Sequence, residues 1–169
     1  MRRFLMLLML LGSCAHPGST MRIADPSELQ LRPSYDMAAA QAWKRPTSVT
    51  FEVEGVQVKG DQAVVTGWLS NASSEPQVVV IFPVGPMGLV VQPAPGRATR
   101  LPPRSDQPPR MMPAPPPPEF LTLPPQSRVR VQSGIDLTEY SWDPKQPHEL
   151  EWSFQFWDEP KPRGLLPLP

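Results

Sequence analysis

The chain has 169 residues, and its 16 Lys and Arg are balanced by 16 Asp and Glu. This balance excludes the basic surplus by which proteins hold nucleic acid or an anionic bilayer through electrostatics alone. The chain has one cysteine, Cys14, so no internal disulfide can form and the fold must rest on packing.

The first 13 residues have the features of a secretion signal. Arg2 and Arg3 supply a positive start, an uninterrupted apolar run extends from Phe4 to Leu11, and the small residues Gly12 and Ser13 follow. The apolar run is too short to span a bilayer, because a transmembrane helix needs about 20 apolar residues. The sequence therefore predicts an exported protein whose residues 1–13 are removed.

The end of this leader, Leu11-Gly12-Ser13-Cys14, resembles the lipobox of bacterial lipoproteins. The resemblance implies that the Cys14 sulfur receives a diacylglycerol and that the new amino group is acylated after cleavage. Several acyl chains anchor a protein stably, whereas one binds only marginally. The next residue is Ala15 and not the Asp that favours inner-membrane retention, which implies the outer membrane. An ordinary secretory signal and an intermolecular disulfide are the alternatives for Cys14.

Residues 14–46 are predicted to form a lipidated tether with one or two short helical segments. Asp25-Pro26-Ser27-Glu28 has a capping carboxylate, a proline in the first turn and a glutamate three residues after the cap, which indicates a helix start. The stretch from Ser34 to Lys44 contains three consecutive alanines and favours a second helix with Ser34 as its cap.

From Thr47 onward, apolar and polar residues alternate, which predicts strands with one buried face. Val49, Phe51 and Val53 share one face, and the change of parity across Gly55 predicts a bulge. Six further segments have strand character: QAVVTGWLSN (62–71), QVVVIF (77–82), MGLVVQ (87–92), FLTL (120–123), RVRVQSG (128–134) and HELEWSFQF (148–156). A helical turn capped by Asp136 and Glu139 is expected before the last of these.

Short strands at intervals of about ten residues, with no long helix, indicate an all-β chain with a single antiparallel β-sandwich over residues 47–159. The aromatic core is expected to come from Phe51, Trp68, Phe82, Trp152, Phe154 and Phe156. This pattern resembles the immunoglobulin-like class, and the segment from Leu123 to Tyr140 is similar to the corner at which a tyrosine of such domains bonds to the backbone. The inter-sheet cysteine pair is absent, so no antigen-type recognition is implied.

Proline, with 26 residues, is concentrated outside the predicted strands. About residues 93–119 are predicted to be a proline-rich loop insertion, because the apolar residues there have no period and proline supplies no ladder donors. Polyproline II is the expected local conformation. Residues 160–169 are predicted to be a proline-rich tail. A segment of the first kind is either a binding element or a spacer.

No catalytic or metal-binding constellation is recognisable in the sequence. The two histidines are His16 in the tether and His148, whose parity with Leu150 places it at the end of a core face. Cys14 is committed to lipid, and no His, Asp and Glu cluster has ligand spacing. We therefore expect no enzymatic activity, cofactor, metal or small-molecule substrate.

Three features are suited to binding a protein partner. The first is the proline-rich loop with its arginines, among them Arg104 and Arg110. The second is an aromatic group of Tyr140, Trp142 and Trp157, in which Trp157 has outward parity and is either a contact anchor or covered by the tail. The third is the set of open strand edges.

These features predict a lipid-anchored, non-enzymatic interaction module that is a structural or accessory component of an outer-membrane assembly. Abundant Pro and Arg with only four Lys is similar to the GC-rich genomes of gliding and predatory Gram-negative bacteria, which implies surface motility or secretion machinery. The alternative is a periplasmic protease inhibitor or chaperone-like protein that presents the 93–119 loop.

Overall fold

The computed structural model describes residues 21–82, 86–93, 117–140, 145 and 147–169. The described residues are mostly β, as predicted, and one short α-helix, α1 (Met37–Ala42), is found among them. The strands are β1 (Arg22–Ile23), β2 (Gln30–Pro33), β3 (Val49–Lys59), β4 (Gln62–Asn71), β5 (Gln77–Ile81), β6 (Met87–Pro93), β7 (Glu119–Leu123), β8 (Ser127–Asp136), β9 (His148–Phe154) and β10 (Arg163–Leu168). Single 3₁₀ turns occur at Pro26–Glu28 and Leu137–Glu139.

The strands form one four-stranded sheet and two three-stranded sheets. The first has the order β1-β8-β4-β3 and is antiparallel except for the β1–β8 pair. The orders of the other two are β10-β9-β6 and β2-β7-β5, and both are antiparallel. The chain after β9 joins them, because Phe82 N donates to Gln155 O at 3.0 Å and Trp157 N donates to Val80 O at 2.9 Å. The two smaller sheets therefore act as one layer.

One hydrophobic core lies between this joined layer and the four-stranded sheet. The Phe51 ring of β3 lies 4.2 Å from the Phe154 ring of β9, centroid to centroid, and 5.7 Å from Trp152. The alternation predicted for the last strand is confirmed, because its inward-facing residues His148, Leu150, Phe154 and Phe156 are buried. Burial of each such apolar side chain contributes roughly 1.5–3 kcal/mol.

The predicted bulge is confirmed by the pairing of β3 with β4. The register shifts between Val53 and Gly55, so the two halves of β3 present opposite parities to the same core. Gly60 closes the hairpin with a φ of 58°, a conformation that glycine adopts without steric cost. The turn after β8 is also capped as predicted, since the Asp136 carboxylate accepts from Thr138 N at 2.9 Å.

The described part of the predicted tether does not form a free linker. β1 pairs with β8, β2 pairs with β7, and Ala40 of α1 is fully buried. The predicted boundary at Thr47 therefore corresponds to no break in packing. Strands of two and four residues are too short to show a period in the sequence, so only their partners reveal them.

The two helix starts in this region were predicted with partial accuracy. The capping box is present, with Ser27 N donating to the Asp25 carboxylate at 2.8 Å and Asp25 N donating to Glu28 at 3.0 Å, but it starts only a 3₁₀ turn. The cap of α1 is Asp36, which accepts from Ala39 N at 2.9 Å, and not Ser34.

The segment predicted to be a proline-rich tail contains a strand. β10 pairs with β9 from Arg163 opposite Ser153 to Leu168 opposite His148. Pro167 lies within it, which is possible because β10 is at the edge of its sheet and proline is tolerated there. The proline content of the segment therefore concealed an edge strand.

Several predictions fall outside the described residues. They are the lipid site Cys14, the candidate contacts Arg104, Arg110 and Trp142, and residues 94–116 of the proline-rich loop. Within the described ranges, no helix is long and apolar enough to cross a membrane.

Gly67 of β4 lies directly beneath the Phe51 ring. A Cβ added there would lie 2.5 Å from Phe51 Cζ and 2.8 Å from the Glu52 carbonyl oxygen, so backbone would have to move. We expect Gly67→Ala to lower the free energy of unfolding by about 1–3 kcal/mol, measured by urea denaturation.

Gly134 of β8 is the matched control, because an added Cβ there would meet nothing closer than 3.7 Å. Gly134→Ala should change the free energy of unfolding by no more than about 0.5 kcal/mol. Equal losses for the two variants would show that contact with Phe51 does not constrain Gly67.

Candidate interaction surface

The outer face of the joined layer is apolar where a solvent-facing sheet is ordinarily polar. Val79 and Ile81 of β5 belong to the core, so the alternating residues Val78, Val80 and Phe82 face outward. Phe120 of β7 pairs directly with Val80 and shares its face. Trp157 also faces outward, because its neighbour Phe156 pairs with Ile81 on the core side. The aromatic surface consists of Val78, Phe82, Phe120 and Trp157, and Val80, which lies among them, is fully buried.

A stacked pair of rings lies at the centre of the aromatic surface. Phe82 and Trp157 have ring centroids 4.6 Å apart and planes inclined by 28°, and both remain partly exposed. Lys161 Nζ lies 4.4 Å from the Phe82 centroid, which is within cation–π range. Lys161 therefore covers part of Phe82, and Trp157 remains partly exposed.

Residues that precede β3 contact the segment around Trp157 and the neighbouring strand β5. Arg45 N donates to the Asp158 carboxylate at 3.2 Å, and the Arg45 guanidinium lies 4.7 Å from the Phe156 ring centroid. The Trp43 indole donates to Val78 O at 2.9 Å and completes the edge of β5. These contacts position the aromatic surface on a rigid support.

A groove of about 380 Å³ adjoins the aromatic surface. Its floor contains Val78, which is 42% exposed, and Phe120. Ser34 on its rim donates its N–H to Pro118 O at 3.0 Å, and Pro118 is fully buried. The groove is lined by Arg32, Pro33, Ser34, Val78, Phe120 and Thr122.

Tyr140, the other described member of the predicted aromatic group, belongs to a separate feature. It lines a cleft of about 350 Å³ between β6 and β8, together with Met87, Leu89, Gly134, Ile135, Asp136 and Glu139. The Thr138 hydroxyl and the Thr138 N–H both donate to Asp136 and hold the pKa of that carboxyl below its ordinary value. Asp136 therefore stays ionised at neutral pH and is already occupied as a turn cap.

The prediction that His148 ends a core face is confirmed, since the residue is only 4% exposed. Among the described residues, no group of three or more His, Cys, Asp and Glu could hold a metal ion. The chemistry available on the described surface is thus that of apolar contact, cation–π contact and backbone hydrogen bonding.

Two aromatic residues predicted to lie in the core face outward instead. Phe82 belongs to the aromatic surface, and Trp68 packs its ring against the Arg128 guanidinium at 4.2 Å. Residues 78–82 are all apolar, so there is no alternation to show which face of β5 is buried. Trp68 precedes the core residue Leu69 in β4, so strand alternation could have predicted that Trp68 faces outward.

No protein-family model matches this chain, and no curated protein matches it.

Trp157 and Phe156 are adjacent in the chain but lie on opposite faces of the layer. Phe156→Ala should cost about 3–5 kcal/mol of unfolding free energy, because Phe156 is fully buried. Trp157→Ala should cost less, about 2 kcal/mol, because Trp157 is partly exposed and loses only part of a full side chain's burial together with the stack on Phe82. Urea denaturation of both variants checks this, and a Trp157 variant as unstable as the Phe156 variant would identify Trp157 as a core residue.

Proposed function

We propose that this protein is a lipid-anchored, non-enzymatic interaction module of the bacterial outer membrane, which binds a protein partner through its aromatic surface. The observation that carries the proposal is the Phe82–Trp157 stack on the outer face of a sheet whose other face packs against the core. Apolar side chains that remain partly exposed on the outer face of a sheet are typical of interaction sites. Partly buried tryptophan is also the residue most typical of binding hot spots.

The lipobox ending at Cys14 supports the anchor, and the early start of the fold supports a position close to the membrane. β1 begins at Arg22, eight residues after Cys14 (22 − 14 = 8). A chain of this length spans at most about 30 Å when fully extended. The folded layers would thus be confined to the membrane surface, where a membrane-bound partner is within reach.

The strand order supports an immunoglobulin-like sandwich as the scaffold. The hairpin of β3 and β4 lies in one layer, the next strands cross to the other layer, and β8 returns to pair with β4. β9 and β10 then form a hairpin in the second layer. This alternation between layers is typical of the Greek-key connections in that class.

Three described carboxylates, those of Asp25, Glu28 and Asp136, are already engaged in local hydrogen bonds. The Ser27 hydroxyl and N–H lower the pKa of Asp25, and the Arg22 guanidinium, aided by the Asp25 N–H, lowers the pKa of Glu28. Both groups therefore favour the ionised form and act as turn caps, as Asp136 does.

The aromatic surface and the anchor together suit a structural or accessory component of an envelope assembly. Composition similar to that of gliding and predatory bacteria suggests surface motility or secretion machinery as the assembly. The alternative of a protease inhibitor depends on residues 93–119, most of which lie outside the described ranges.

Replacement of the lipid site tests the anchor. Cys14→Ala is expected to move the protein from the membrane fraction to the soluble fraction, because no sulfur remains to be acylated. Ser13→Ala keeps a small residue in the lipobox and should stay in the membrane fraction. Immunoblots of both fractions measure the distribution, and membrane retention of the Cys14 variant would disprove lipid anchoring.

Photo-crosslinking in cells tests the aromatic surface. Benzoylphenylalanine at Trp157 is expected to capture one envelope protein, and the same group at the exposed Gln57 of β3 should not capture it. Mass spectrometry identifies the captured protein. Equal capture at both positions would contradict the proposal, and capture of a protease that is lost on deletion of residues 93–119 would favour the inhibitor instead.

A further inference from the structure

Exposed apolar side chains are concentrated near the start of the fold. In the described part of the chain, six large apolar side chains are exposed, and four of them lie within residues 23–37. Tyr35 is 85% exposed, and the other three are each at least 43% exposed. Single exposed apolar residues are ordinary on a protein surface, but a group of them marks a contact with another apolar phase. The amino-terminal face consists of Ile23, Leu31, Tyr35 and Met37.

β1 and β2 hold this segment against the sheets. β1 pairs with the first two residues of β8, and β2 pairs with β7. β7 and β8 are joined by residues 124–126 alone, so β1 and the start of β2 lie beside the same turn. Ala24 and Ala40 of the same segment are buried. The exposed side chains are therefore presented by docked backbone and not by a free linker.

The groove that contains Val78 connects the amino-terminal face to the aromatic surface. Residues 32–34, which follow Leu31 and precede Tyr35, line this groove, and Val78 is on its floor. Met37 N donates to Tyr35 O at 2.9 Å, so α1 starts directly beside Tyr35. The amino-terminal face and the aromatic surface are therefore neighbours.

The position of the proposed lipid site favours a bilayer as the occupant of the amino-terminal face. Ile23 is nine residues after Cys14 (23 − 14 = 9). The two Cα atoms are thus within about 30 Å of each other even if the chain between them is fully extended. The bilayer that holds the lipid is within reach of this face whenever the protein is anchored. A second copy or another protein would first have to diffuse to it.

The charges around this face favour apolar contact over electrostatic attraction. Residues 21–46 include four basic and three acidic side chains, and Arg22 is paired with Glu28. Anionic headgroups attract segments with a surplus of Lys and Arg, and one net charge is not such a surplus. Aliphatic side chains and tyrosine enter the boundary between headgroups and acyl chains through their apolar surface. The amino-terminal face therefore suits a neutral bilayer.

We infer that the amino-terminal face inserts its four side chains into the bilayer to which Cys14 is anchored, to a depth of about 5–10 Å. The acyl chains limit the distance between protein and membrane, and the inserted side chains fix the orientation. The adjoining aromatic surface then lies beside the bilayer, where a membrane-bound protein can contact it. This inference rests on the lipid anchor of the proposed function, but it concerns a different surface from that of Trp157.

Fluorescence quenching by lipid tests the inference on the full lipidated chain. Cys14 is the one cysteine of the chain and its sulfur carries the lipid, so an introduced cysteine is the only free thiol. Leu31→Cys and Tyr35→Cys are each labelled with the fluorophore NBD and reconstituted into phosphatidylcholine vesicles that carry a nitroxide on the acyl chain. Both labels should be quenched, because the nitroxide lies at the depth that the side chains reach.

Leu165→Cys is the matched control. Leu165 is 54% exposed, as against 52% for Leu31, and it lies on β10, in the sheet that contains neither β1 nor β2. Quenching at positions 31 and 35 should exceed quenching at position 165 by about threefold or more. Quenching should be the same at low and high salt, because the contact is apolar.

A charged substitution supplies a second measurement. Leu31→Glu should lower the quenching of a label at position 35 by about twofold or more, because a carboxylate opposes transfer into an apolar phase. Leu165→Glu should leave that quenching unchanged. An equal effect of the two substitutions would contradict insertion of Leu31.

Other occupants of the face give different results. Equal quenching at positions 31, 35 and 165 would overturn the inference, because the face would then remain in water. Labels that are shielded without vesicles would overturn it as well. Shielding that increases with protein concentration would identify a second copy as the occupant, and shielding that does not would identify this chain's own residues.

Flotation of the same samples distinguishes failure of this inference from failure of the proposed anchor. If the chain floats with the vesicles while labels at positions 31 and 35 remain unquenched, bilayer insertion is wrong and the lipid anchor stands. If the chain does not float, the anchor fails and bilayer insertion fails with it.

Discussion

The backbone pairing of residues 155–157 with the end of β5 is the constraint on which the rest of the structure depends. The two hydrogen bonds that join Phe82 to Gln155 and Trp157 to Val80 turn two small sheets into one layer. They also set the parity of this region, so that Phe156 completes the core and Trp157 stacks on Phe82 outside it. The same backbone pairing therefore determines which side chain completes the core and which lies on the aromatic surface.

The aromatic surface is the contact proposed for a protein partner. The aromatic surface acts through side chains, and its energy would come from apolar burial around Trp157. A lipid at Cys14 would hold the start of β1 within about 30 Å of the membrane, which raises the local concentration of a membrane-bound partner.

Alternation of apolar and polar residues predicted the long strands that have one buried face. It missed the strands that can be recognised only from the strands they pair with. β3, β4, β8 and β9 alternate over many residues, so their positions and the bulge at Gly55 were predictable. β1 and β2 are too short for a period, and β10 is hidden by its prolines. Phe82 was also wrongly predicted to lie in the core. Every residue from Val78 to Phe82 is apolar, so alternation does not show which face of β5 is buried.

The sequence by itself determined the all-β class, the caps at Asp25 and Asp136 and the inward face of β9, because each depends on residues that are close in the chain. The sheet order and the outward position of Phe82 were decided only by the tertiary structure. These features depend on which distant strands meet, as β8 meets β1 and residue 157 meets Val80. Local chemistry specifies the elements, and long-range pairing decides which of their faces and edges remain available for binding.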